Sequence, residues 1–91
     1  MARLSDAAMQ DALRTLREWR LENGALTRDY AFPDFAAAFA FVTRLALLAE
    51  RTDHHPDIDI RYNKVRVALL SHDAGGVTER DVKAAGAISA L

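Results

Sequence analysis

Residues 32–51, FPDFAAAFAFVTRLALLAER, form the longest helix-period apolar run in the chain, and they limit what can surround them. Pro33 ends the segment before it, and Asp34 is a ready N-cap. Phe35, Phe39, Val42, Leu45, Ala46 and Ala49 make one stripe at helical spacing, and Phe41, Leu45 and Leu48 widen it. A helix apolar over so much of its circumference is buried on more than one side. One side is expected to face a sheet and the other a partner subunit.

The flanking segments supply that sheet. Upstream, residues 5–17 read as a short helix capped by Ser5, with Ala8, Met9, Leu13 and Leu16 at helical spacing. Trp19 and Leu21 then alternate with polar residues, as do Leu26, Tyr30 and Phe32 with one break. Asn23-Gly24 between them predicts a two-residue type I′ hairpin turn, because both positions tolerate positive φ. Downstream, Ile58, Ile60 and Tyr62 alternate with Asp57, Asp59 and Arg61, the stretch YNK turns, and Val65, Val67 and Leu69 alternate with Lys64, Arg66 and Ala68. Gly75-Gly76 breaks the chain, and TERDVKAAGAISAL closes it as a helix capped by Thr78. The order α-β-β-α-β-β-α predicts an α+β fold, a four-stranded antiparallel sheet with helices packed on one face.

The 91 residues are expected to form one domain, 1–91, without repeats or linkers. A chain this short buries roughly 60–65% of its unfolded surface, so its stability margin is thin and association would help. The net charge of −1 lacks the basic excess of a general nucleic-acid binder. No cysteine is present for a disulfide or thiolate site. No apolar run reaches the roughly 18 residues of a bilayer span, and the first residues lack a signal-peptide core. These features together predict a cytoplasmic protein.

All three histidines, His54, His55 and His72, fall within residues 54–72. Pro56 pushes His55 into extended backbone, so the long helix must end near residues 51–53. Both imidazoles then sit on a rigid helix-to-strand junction. Sequence neighbours in extended chain point to opposite sides, which fits a shared metal poorly, since helical metal signatures use i, i+4 histidines. Acid–base chemistry fits better: at pH 7 an ordinary imidazole is roughly a quarter protonated, and several around one substrate can donate and accept. Glu50, near the helix end, can orient an imidazole. Asp81 occupies the capping-box position after Thr78, a structural role sufficient by itself. The residues alone lead to a histidine-based site at helix and strand ends, with its substrate open.

The spacing adds a resemblance. Glu50, three residues, His54-His55-Pro56, five residues, Tyr62, nine residues, His72, eight residues and Asp81 together resemble the pterin-4a-carbinolamine dehydratase family. The stretches FPDFAAAFAFVTRLALLAE, YNKV and SHDAGGVTERD are similar too, and the resemblance covers roughly residues 18–90. It implies a metal-free and cofactor-free enzyme that dehydrates 4a-hydroxytetrahydropterin to quinonoid dihydropterin, recycling the pterin of aromatic amino-acid hydroxylases. It implies catalytic His54, His55 and His72, with Glu50, Pro56 and Asp81 binding or orienting. His54 and His72 would be acids toward the hydroxyl, His55 would bind or polarise the ring, and Asp81 would orient His72 or another site group. Members are homodimers or homotetramers, with no direct nucleic-acid or membrane contact expected here. The family usually has tryptophan two residues after the proline, where this chain has Ile58. A dehydratase-like assembly factor or transcriptional dimerisation cofactor is the competing reading.

Overall fold

The structure, a computed structural model, describes residues 2–91; Met1 of the expected domain lies outside the described residues. In chain order the elements are α1 (Asp6–Thr15), β1 (Arg20–Glu22), β2 (Ala25–Ala31), α2 (Phe35–Thr52), β3 (Asp57–Arg61), β4 (Lys64–Leu69), a 3₁₀ turn (His72–Ala74) and α3 (Glu79–Ser89). The α-β-β-α-β-β-α order is as expected, and only the short 3₁₀ turn is additional. All strand pairs are antiparallel, in the order β1-β2-β4-β3. Asn23 and Gly24 both have positive φ, as the first hairpin requires.

Alternation along the central strands sorts the two sheet faces. Leu26, Tyr30, Val65, Val67 and Leu69 pair across β2 and β4 on one face, and this face meets α2 and α3. The other face carries Arg20, Glu22, Asp29 and Arg66, linked by Arg66–Asp29 at 2.7 Å and Arg20–Asp29 and Arg20–Glu22 at 2.9 Å. There the Arg66 guanidinium, helped by Arg20, holds the Asp29 carboxyl below the usual range against a partial desolvation. The helices therefore cover one face only, leaving the other charged and open.

Three details refine the expectation. The buried stripe of α2 is Ala38, Phe41, Leu45, Leu48 and Ala49; Phe35, Phe39 and Leu47 are about half exposed or more, and Phe35 and Phe39 pack on each other at the surface. The stripe read as primary is thus split, with Leu45 and Ala49 inward, Val42 between and Phe35, Phe39 and Ala46 outward, because the sheet contacts only one arc of an over-wide apolar surface. Tyr62, the last residue of the alternation and the first of the YNK stretch, belongs to the turn at φ 54°. Leu21, on the short edge strand β1, is half exposed where its alternation promised burial.

Candidate active site

The site begins where α2 stops. Asp53 adopts the left-handed conformation at φ 51°, and the N–H groups of Asp53 and His54 both donate to the Ala49 carbonyl. That wraps the chain sharply off the helix, and Pro56 then leads into β3. The β3–β4 hairpin runs away from this junction and back, so the chain after β4 returns to His54. By the same geometry Tyr62, at the far turn, stands about 16 Å along β3 from the junction. The motif's aromatic residue is thus a turn residue here.

The two adjacent histidines diverge, as extended neighbours must. His54 turns inward: its side chain is 11% exposed and its Nε2 lies 2.5 Å from Oδ1 of Asp81, which is fully buried. His55 turns outward, with Nε2 2.5 Å from Oε2 of Glu50 on the last turns of α2. Each imidazole therefore has its own carboxylate. His72 sits in the 3₁₀ turn with an exposed side chain, and no hydrogen bond of its ring is found among the described residues. Asp81 contacts His54 and not His72, although it holds Ser71, the residue beside His72.

The Asp81 carboxylate gathers three partners, His54, Ser71 and Thr78. Its Oδ2 accepts from the Thr78 N–H and from Ser71 Oγ, each at 2.9 Å. The Thr78 hydroxyl is 2.9 Å from Ser71 Oγ. Ser71 has one hydroxyl hydrogen, which goes to Asp81, so Thr78 must donate to Ser71. The expected capping box is present, and the same side chain positions His54. With Nε2–H given to Asp81, the Nδ1 of His54 is the ring nitrogen left for exchange with a substrate.

His54 and Pro56 stand at one end of a cleft of about 320 Å³ between α2 and α3. Leu45, Leu48 and Ile88 make its far walls, and Arg80 and Lys83 of α3 supply its charge. This volume lies at the lower end for small-molecule pockets, roughly 300–1,000 Å³. Ile58 does not line the cleft; it is 36% exposed on the edge strand, and Pro56 supplies the apolar contact beside His54. Ser71, Arg80 and Lys83 were not singled out from the sequence, and Thr78 was read only as the helix cap. Ser71 and Arg80 carried one signal only, adjacency to His72 and Asp81. Among the described residues, no three of the His, Asp and Glu side chains converge on one point.

Comparison with known proteins identifies the family. The family model described as pterin 4 alpha carbinolamine dehydratase matches residues 2–91. A provisionally named pterin-4-alpha-carbinolamine dehydratase of Chloroflexus aurantiacus is 52% identical over 91 residues, covering 100% of this chain and 98% of the relative. One of Acidobacterium capsulatum is 52% identical, covering 100% and 99%. The crystal structure of a transcriptional coactivator/pterin dehydratase from Brucella melitensis superposes with a TM-score of 0.91 at 43% identity, over 97% of this chain and 96% of that one. A pterin dehydratase-like protein identified as a RuBisCO assembly factor in the alpha-carboxysome superposes with a TM-score of 0.68 at 29% identity, over 80% and 87%.

Proposed function

This chain belongs to the pterin-4a-carbinolamine dehydratase family, and from that premise we propose that it dehydrates 4a-hydroxytetrahydropterin to quinonoid dihydropterin by histidine acid–base catalysis. The observation that carries the reading is the buried His54–Asp81 pair lining a largely apolar cleft, with His55 next to it in sequence and bonded to its own carboxylate, Glu50. A residue kept only for protein binding gains nothing from a buried His–Asp pair.

The reaction is redox-neutral. The C4a–oxygen bond breaks, the departing hydroxyl takes a proton and leaves as water, and the N5 proton is lost as the C4a–N5 double bond forms. His54 and His72 deliver the proton to the hydroxyl on alternative faces of the ring, and His55 binds the ring side and polarises it toward loss of the N5 proton. Asp81 fixes the ring plane of His54, Glu50 holds His55, and Pro56 keeps the junction rigid. Each positioned group of this kind contributes about 10²–10⁴-fold. The pathway role follows: recycling of a pterin used by an aromatic amino-acid hydroxylase in the cytoplasm. No described helix is long and apolar enough to cross a membrane. The exposed Phe35, Phe39 and Leu47 on α2 support assembly into a homodimer or homotetramer of single-domain subunits.

Stopped-flow ultraviolet absorbance of 4a-hydroxytetrahydropterin breakdown tests this. Wild-type protein accelerates the decay, and both His55→Ala and the His54→Ala/His72→Ala double variant lose about 10²-fold or more while remaining folded. Decay no faster than in buffer would leave the fold as a binding or assembly module, the role named for the carboxysome relative.

A further inference from the structure

No carboxylate lines the cleft between α2 and α3, yet two cationic side chains do, Arg80 and Lys83. Their i, i+3 spacing puts both on one side of α3. Lys83 makes no ion pair among the described residues. Arg80 commits one terminal nitrogen to Asp73 at 3.0 Å, but its Nε is buried without a hydrogen-bond partner among the described residues. A buried guanidinium donor with no acceptor is costly, and an acceptor that arrives with the ligand removes the cost. Thr52 and His54 are the other polar residues of the lining and the rest is apolar, so an anion entering the cleft meets two positive side chains and no lining carboxylate, while Asp73, outside the lining, pairs with one end of Arg80.

Resting on the dehydratase reading above, we propose that this site selects pterins whose C6 side chain ends in an anionic group, with Arg80 and Lys83 as its recognition residues. The pterin ring lies toward His54, and the side chain lies along α3, where its negative charge meets the guanidinium and the ammonium. The substrate class is thus a tetrahydropterin bearing a carboxylate or phosphate, in preference to one with a neutral hydroxyalkyl chain. Lys83 is a specificity residue here: it is remote from the bonds that change.

Fluorescence titration with pterin-6-carboxylate and with the neutral 6-hydroxymethylpterin separates the possibilities. In about 50 mM salt the carboxylate is expected to bind roughly tenfold more tightly, and the advantage should shrink as salt rises. Lys83→Gln, an exposed helix position that leaves the core untouched, should cut the preference several-fold without changing affinity for the neutral pterin. Lys83→Arg should retain it. Equal affinities of the two pterins for the wild type, or a preference unchanged in both Lys83→Gln and Arg80→Gln, overturns the anionic specificity and leaves the dehydratase reading standing. Failure of both pterins to bind overturns both readings.

Discussion

Asp81 is where the sequence says least and the structure most. Its capping-box position accounts for Oδ2, and only the fold reveals His54 on Oδ1. Ser71 is the hidden member: it donates to Asp81 and accepts from Thr78, with all three residues buried. Ser71→Ala leaves the Thr78 hydroxyl without its acceptor and Asp81 with one donor fewer, a cost of about 1–3 kcal/mol. If Asp81 also positions His54 for catalysis, the same substitution lowers the dehydration rate, and Ser71→Thr restores both. Urea melts read the first effect and stopped-flow absorbance the second. A stability loss with an unchanged rate and pH profile would mean that the hydroxyl chain serves the helix cap alone.

Strand β2 carries a different kind of tension. Tyr30 stacks in the aromatic group with Phe32 and Phe41 and lies under the Arg28 guanidinium, 4.2 Å from its ring centre. Its hydroxyl, however, is buried with no hydrogen-bond partner among the described residues. Burial pushes the phenol's pKa above its usual value. The sign is then fixed: the unfolded chain ionises first, so this residue's contribution is fully present below about pH 10 and is lost as pH rises beyond it. Tyr30→Phe removes an unsatisfied donor and keeps the ring, so it should match or exceed wild-type stability by about 1 kcal/mol near pH 7. It should also flatten the alkaline loss. Denaturant midpoints at neutral pH and near pH 11 check both, and a variant clearly weaker than wild type at neutral pH would show that the hydroxyl has a partner in solution.

Across the whole molecule, one long helix serves two surfaces. The inner arc of α2 closes the core through Ala38, Phe41, Leu45 and Leu48, while Phe35, Phe39 and Leu47 remain outside. The proposed homodimer or homotetramer would bury this apolar patch, and the thin stability margin of a small chain is the reason association would help. Phe39→Asp with Leu47→Asp should therefore shift the sedimentation coefficient to a smaller species. An identical mass for wild type and variant would show that this face carries no subunit contact.

The elements were legible because their signals are local. Period 3.6 and period 2, the Asn23-Gly24 turn, and the caps Ser5, Asp34 and Thr78 each depend on residues a few positions apart, and all are present in the fold. The spacing of Glu50, His54, His55, Pro56, His72 and Asp81 was legible too, and with it the family. What the chain order could not decide is which partner each group meets. Periodicity gives the width of the apolar arc on α2, but the part of that arc touching the sheet depends on how the helix lies across β3 and β4. The choice of His54 over His72 as the partner of Asp81 depends on a left-handed turn at Asp53 and on a hairpin that returns the chain beside it. The cleft exists only because α2 and α3, about thirty residues apart, leave space between their side chains. Local propensities follow from backbone sterics within a few residues. Pairings and cavities follow from packing between distant ones, where a small shift in one element changes which atoms meet.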